Sequence, residues 1–358
     1  FVWNVFKEAY LYSRLGLGRP EQVFEMLAEA AAQHMSKEHA GWASIGKALI
    51  TALLYYVYQV RTKVAAKPLP SPYHYLPTHE SLNEYLEMDV RRLVSTLVEA
   101  SGIFAHNPTL KRLVRQAEEI LASGFGGDVA SSYGVTLDMI SSIFSAEAFR
   151  AGGYDAFLDL YCSDAFCGNL DAVYIKLSDL GEDERARLNA MLHTAIGVLF
   201  KAASTRPPRR PILTVFDDFV AIGKLKDLAN YVNIGRGIGL WTVVTTQYVS
   251  QLKADEEHAL QDAFSTVVAY SVSGDTAEWV AKRIGKLAPK RGLFENKKRS
   301  VKEEYAQSDP SIDLLNTPCG FAVLSTTGVN IVGVPRHNAA VVWVYDCFEE
   351  QRKKQGGA

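Results

Sequence analysis

"ILTVFDDFVAIGKLKDLANYVNIGRGIGLWTVVTTQYVSQL", Ile212 to Leu252, contains two phrases of one kind separated by a phrase of another. "ILTVF" and "LWTVV" are short, apolar and rich in β-branched residues, the pattern of strands buried on both faces. Between them "GKLKDLANYVNIG" (Gly223–Gly235) has helical spacing, and the following glycines read as a helix C-cap and a tight return. A strand–helix–strand unit of this kind predicts parallel pairing and an α/β fold.

The same alternation runs outward. "DAVYIKLS" (Asp171–Ser178) reads as a strand and "ERARLNAMLHTAIGVLFKAAS" (Glu184–Ser204) as a long amphipathic helix. "ALQDAF" (Ala259–Phe264) and "DTAEWVAKRIG" (Asp275–Gly285) read as helices on either side of the strand "STVVAYSV" (Ser265–Val272). "GFAVLST" and "NIVGVPR" read as a closing hairpin. The expectation is a mostly parallel sheet with helices on both faces. From about Pro20 to Phe166 the chain is helical instead; Asn107-Pro108 has the form of an N-cap followed by Pro at the first helical position.

In open α/β sheets ligands sit beyond the carboxyl ends of the strands. Asp217-Asp218 closes "ILTVF", and Thr245-Thr246-Gln247 closes "LWTVV". A nucleoside triphosphatase needs one carboxylate for Mg²⁺ and its water, and a second to orient or deprotonate the attacking water. A neutral amide on the next strand can sense the γ-phosphate. A strand that merely ends in polar residues is the other reading of the acid pair. "GRGIG" (Gly235–Gly239) leaves a helix and enters a strand, the wrong order for a dinucleotide loop. Its Arg236 reads either as a solvated residue at a helix C-terminus or as an arginine finger acting on a neighbouring subunit.

"HAGWASIGKALI" (His39–Ile50) imitates a phosphate-binding P-loop but fails it. Ala48 stands where a Mg²⁺-holding hydroxyl is required, no strand precedes it, and Trp42, Ile45, Leu49 and Leu53 repeat at helical intervals.

The 358 residues suit about two domains. A net charge of −2 gives no global nucleic-acid signature, so such binding must come from local patches. Lys282–Lys302 carries nine Lys and Arg against Glu295 alone; Lys290, Arg291, Lys297, Lys298 and Arg299 are its candidate phosphate contacts. Arg206, Arg209 and Arg210 form a second cluster. Cys162, Cys167, Cys319 and Cys347 lack disulfide-scaffold or zinc spacing. No signal peptide is visible in the opening residues, and the longest apolar run, Ala48–Val60, is too short to span a bilayer. The chain is expected to be a soluble fragment, beginning as it does within an apolar phrase.

Taken together, the Ile212–Leu252 series resembles the signature of type IV secretion coupling proteins of the TraD/TraG kind, the DNA-pump ATPases of bacterial conjugation. That family shows a strand ending in Asp-Glu, a short helix, Gly-Arg, a strand, a Gln and Gln-Leu. The phrase "GWASIGKAL" resembles the family's Trp-Ala-Ser helix, and "LLNTPCGFAVLSTTGVNIVGVP" its closing strands. The resemblance implies a RecA-like α/β domain interrupted by an inserted all-α domain. Residues 1–19 would begin the RecA-like domain, 20–166 would be the insertion, 167–346 the remaining RecA-like part, and 347–358 a tail.

It further implies ATP and Mg²⁺ as cofactors, with Asp217 holding the metal, Asp218 at the catalytic Glu position, Arg236 as finger and Gln247 as the phosphate-sensing amide. Implied partners are the secretion-channel components, a DNA–relaxase complex or effector proteins, and five further copies in a hexamer. The implied location is the cytoplasmic face of the bacterial inner membrane, with anchor and P-loop N-terminal to Phe1. Asp218 departs from the pattern by one methylene. A non-hydrolysing coupling scaffold and a related ring DNA translocase are the competing readings; the latter would lack the insertion and the Trp-Ala-Ser phrase.

Overall fold

A computed structural model of the chain describes residues 3–32, 43–64, 76–122, 155–162, 172–175, 182–219, 225, 228–252, 259–269, 274–284, 321–326 and 339–343. Its contacts form two units, 1–216 with 221–244, and 217–220 with 245–358.

The first unit is mostly helical. Helix α1 (Val5–Arg14) starts where Asn4 Oδ1 accepts from the N–H groups of Phe6 and Lys7, at 2.9 and 3.0 Å. It stops at Gly16, whose φ of 70° lets Leu17 N donate back to Tyr12 O at 3.1 Å. Helix α2 (Pro20–Ala32) buries Val23, Phe24, Leu27, Ala28 and Ala31. Helix α3 (Ala43–Val64) buries Leu49, Leu53, Leu54 and Val57 at three- and four-residue intervals. Phe6, Phe24 and Tyr58 join the three helices through edge-on ring contacts at 5.8 and 6.0 Å. Gly46 and Lys47 lie inside α3, and Lys47 pairs with Glu29, so the P-loop imitation is a helix face.

Short helix α4 (Asn83–Leu86) and helix α5 (Val90–Glu99) precede helix α6 (Pro108–Ala122), which opens as read, with Leu110 N donating to Asn107 Oδ1 at 3.1 Å. A short helix α7 (Leu158–Cys162) follows, then the long helix α8 (Glu182–Thr205), two residues longer than expected at the start and one at the end. A Cβ on Gly197 would come within 2.8 Å of Met26 Sδ, so a side chain there would oblige the flexible Met26 thioether of α2 to move aside.

Residues far apart in sequence are stitched together at α1. Glu8 is wholly buried; its carboxylate accepts from Trp3 Nε1 (2.8 Å), Phe157 N (2.6 Å) and Leu158 N (2.8 Å). Beside it Lys7 Nζ donates to Asp159 Oδ2 at 2.6 Å. Burial pushes the Glu8 carboxyl up to about 7, against the lowering effect of its three N–H partners.

Strand β1 (Ile212–Phe216) pairs in parallel with β2 (Leu240–Val244), from Ile212 opposite Leu240 to Phe216 opposite Val244. Helix α9 (Leu228–Gly235) lies between them in sequence. Tyr231 of α9 meets Thr214 Oγ1 at 3.2 Å and the Phe200 ring of α8 at 6.2 Å, which seats one face of the strand pair on helices. The other face is bare: Leu213 (56% exposed), Val215, Trp241 (52%) and Val243 stand in register on it. Among the described residues, helices cover one face of this pair. Residues 172–175, within the expected Asp171–Ser178 strand, lie outside any strand, and Tyr174 is 93% exposed.

The second unit contains helix α10 (Ala259–Ala263), strand β3 (Thr266–Ala269), helix α11 (Gly274–Ile284), and strands β4 (Phe321–Thr326) and β5 (Ala339–Trp343). Here β4 pairs antiparallel with both β3 and β5. The sheet in this unit thus departs from the mostly parallel expectation. The strand closing it is β5; "NIVGVPR" lies outside the described residues.

Because the folded chain holds the Glu8 proton to higher pH than the unfolded chain does, this group's contribution is full below about 4.5 and is lost as pH rises through about 7. Wild type should therefore lose stability relative to Glu8→Gln between those values, by at most about 3 kcal/mol. Urea unfolding of both proteins at a series of pH values measures it.

Candidate active site

Parallel register brings the ends of β1 and β2 to one level, so the residues that follow are neighbours. Thr245 Oγ1 donates to Asp217 Oδ1 at 2.5 Å and accepts from Asp218 N at 2.9 Å; Phe219 N donates to Thr245 O at 3.0 Å. One hydroxyl thus uses its single proton on one acid and a lone pair on the backbone of the next. Asp218 sits at φ 48°, the left-handed region that Asp tolerates better than most side chains. Both carboxylates are exposed.

Beyond Thr245 a second clasp forms. Gln251 Oε1 takes Thr246 Oγ1 at 2.5 Å and the N–H groups of Gln247 and Tyr248 at 3.1 Å each. The turn is pinned below as well: Val249 N donates to Thr276 Oγ1 (3.1 Å), and Gln261 Nε2 donates to Val249 O (2.9 Å). Gln247 is exposed on this fixed turn, two residues from the threonine that holds Asp217.

Asp217, Asp218 and Gln247 therefore share one rim. Arg236 stands exposed in a single turn, Arg236–Ile238, before β2 begins. That is the end of the strand pair away from Phe216, separated by five residues of strand, roughly 16 Å. Lys290, Arg291, Lys297, Lys298 and Arg299 lie outside the described residues.

Two participants were missed in the sequence. Thr245 was read only as part of a strand end, although the first residue beyond each of two paired parallel strands must face the other. Gln251 was read only as part of a Gln-Leu phrase, although a side chain three or four residues past a strand end can cap the turn it closes.

As for a metal, no group of three or more His, Cys, Asp or Glu side chains suited to an ion occurs among the described residues. Magnesium in phosphate-transfer sites needs only one or two carboxylates, the remaining positions going to water and phosphate oxygens. One exposed aspartate already hydrogen-bonded at Oδ1 fits that requirement.

The fold is that of conjugative coupling proteins. It matches the unbound monoclinic form of the bacterial conjugative coupling protein TrwB at TM-score 0.59 and 17% identity, over 96% of this chain and 70% of that one. Plasmid coupling protein TrwB with the non-hydrolysable ATP analogue ADPNP matches at 0.60, with the same identity and coverage. TrwB with ADP and Mg²⁺ matches at 0.55, again at 17% identity, 96% of this chain and 70% of that one. No protein of curated function matches the sequence. Residues 211–316 match the family described as the TraM recognition site of TraD and TraG. The matched residues span both strand ends of the site.

Gln251→Leu should free the 246–251 turn. The amides of Gln247 and Tyr248 should then exchange with solvent about fivefold faster, the equivalent of the roughly 1 kcal/mol that such a bond contributes. Site-resolved hydrogen exchange reads this directly.

Proposed function

We propose that this chain is part of a coupling-protein NTPase that recruits DNA or protein cargo to a type IV secretion channel and drives its transfer. The observation that carries the proposal is the Thr245 hydroxyl clasp, which holds Asp217 and Asp218 together beyond two parallel strands. A RecA-like fold with helices inserted after residue 19, working as a ring at the inner membrane, completes the reading. The family description supports a TraM-type component of the DNA-processing complex as the docking partner.

In this reading ATP binds with Mg²⁺, which neutralises phosphate charge as it develops. Asp217 holds the ion through its exposed carboxylate. Asp218 accepts hydrogen bonds from water on the same rim and serves as general base. Gln247 donates from a turn that Gln251 prevents from drifting. Arg236, at the far end of its own strand pair, serves a neighbouring subunit. The phosphates also require a cradle of the Gly-Lys-Ser/Thr type, a sequence these residues do not contain. One observation favours the alternative of a non-hydrolysing scaffold: Asp218 is shorter than the family's Glu.

In the complete, assembled protein Asp217→Ala should lower NTP hydrolysis at least about 100-fold; a turnover close to wild type removes the metal role. Mixing Asp217→Ala with Arg236→Ala subunits should restore part of the activity if the arginine acts in trans. Absence of rescue at every ratio would assign Arg236 elsewhere.

Lys290, Arg291, Lys297, Lys298 and Arg299 are proposed as contacts to a nucleic-acid backbone. Neutralising Lys297, Lys298 and Arg299 should flatten the salt dependence of duplex DNA affinity by about 2 to 3 in log–log slope. Filter binding at several salt concentrations checks it.

A further inference from the structure

A cavity of about 510 Å³ opens within the first unit, walled by helices α1, α2, α3, α6 and α8. Its lining is buried at Tyr12, Ala48, Thr51 and Leu110 and exposed at Glu25 and Thr109, so it has a closed depth and an open mouth. Met26, Leu110 and Leu113 give it an aliphatic wall. The volume is that of a small-molecule site, which spans roughly 300–1,000 Å³.

The charge at the mouth is set by one face of α2. Glu21, Glu25 and Glu29 follow one another at four-residue spacing, so their carboxylates stack along the helix. Like charges in that arrangement repel unless each is compensated. The outer two are. Glu21 takes Arg19 Nε at 3.2 Å and His106 Nε2 at 2.9 Å, and Glu29 is paired with Lys47 of α3. Among the described residues Glu25 receives a neutral group instead, Asn107 Nδ2 at 3.5 Å, from the amide whose oxygen caps α6. That length is the outer limit of a hydrogen bond. Partial burial, with Glu21 one turn earlier, holds the Glu25 carboxyl above its ordinary range; Asn107, Lys47 and Arg19 act against this without cancelling it. Of the charged residues in the lining, Glu25 and Glu29 stand against Lys47, an excess of one negative charge with His193 neutral.

We propose that this cavity binds a primary alkylammonium ion, with its charge on Glu25 and its stem along Met26, Leu110 and Leu113. An ammonium supplies the cation that Glu25 lacks, with donors to share between the carboxylate and the Thr109 hydroxyl. A hard metal ion is the poorer fit, since it collects about six or more oxygens and the wall beside Glu25 is aliphatic. An anion would meet the excess negative charge. A charged mouth over an aliphatic wall matches a ligand divided in the same way. The site stands apart from the strand ends and asks nothing of nucleotide hydrolysis.

Isothermal titration calorimetry of the chain with n-butylamine, n-hexylamine and the uncharged 1-hexanol tests this. Each methylene added to the amine should tighten binding about fourfold, as expected for a stem leaving water. 1-Hexanol should bind at least about tenfold more weakly than n-hexylamine, and Glu25→Gln should weaken n-hexylamine by a similar factor, each change removing one charged hydrogen-bond partner. Glu25 is exposed, so the variant is expected to fold, and its melting temperature checks this. Absence of n-hexylamine binding overturns the proposal. So does equal binding of amine and alcohol, or unchanged amine affinity in Glu25→Gln at an unchanged melting temperature. The source of the ammonium is read with Nα-acetyl-lysine N-methylamide, whose side chain is n-butylamine in all but its attachment. Tighter binding than n-butylamine supports the site as one for a lysine side chain, and weaker binding supports it as one for a free amine.

Discussion

The candidate site depends on one constraint, the parallel register of β1 with β2. In a parallel pair both chains leave at the same end, so the residues after Phe216 and Val244 cannot avoid each other. Thr245 exploits this with a single hydroxyl, which donates to Asp217 and accepts from the backbone of Asp218. A serine could reproduce that bond pattern; valine, of the same shape, would leave the Asp218 N–H without its acceptor. The carboxylates themselves stay exposed, so their positions are fixed by hydrogen bonds around them and not by packing over them.

Helices supply the other half of the support. The chain from Phe200 through Tyr231 to Thr214 fastens the inner face of the strands to α8 and α9. Further off, the buried Glu8 and the Lys7–Asp159 pair join residues about 150 positions apart. A buried ion pair contributes little net stability, because desolvation offsets most of its attraction. Three N–H groups on Glu8 are a different matter: two are backbone donors of the Phe157–Leu158 segment, and without the carboxylate they would be buried with no acceptor. The cluster specifies where the 155–159 segment sits more than it adds to the total.

Much of this was legible in the sequence, where local rules apply. The β1–α9–β2 unit, the α8 helix, the Asn107 cap and the false P-loop all follow from spacing and terminal residues, which act over a few positions. The resemblance to coupling proteins rested on the same stretch, and residues 211–316 carry the family match. What escaped depends on pairing between distant segments. That Ala339–Trp343 pairs antiparallel with β4 is visible only in the ladder. Glu8 gave no signal either, since a lone glutamate in the first turn of a helix is ordinarily a surface residue complementing the dipole. Gln251 and Thr245 were visible as letters, but their role needs the turn geometry.

Asp218 shows how backbone and chemistry can pull against each other at one position. Compared with the family's Glu, its carboxylate has a shorter reach, which on its own argues for weaker activation of water. The backbone supplies a reason for the shorter residue. At φ 48° an L side chain crowds the following carbonyl, at a cost of roughly 1–2 kcal/mol, and Asp and Asn are the side chains best able to offset this by local hydrogen bonding. A glutamate placed at the same φ would gain reach but give up that accommodation. The backbone N–H of Asp218 bonded to Thr245 further fixes the residue in this conformation, so the turn cannot relax without releasing the hydroxyl that also holds Asp217. Asp218 and Thr245 therefore form one structural unit, in which a change of side-chain length at 218 acts on the proposed metal ligand Asp217 as well as on the proposed base.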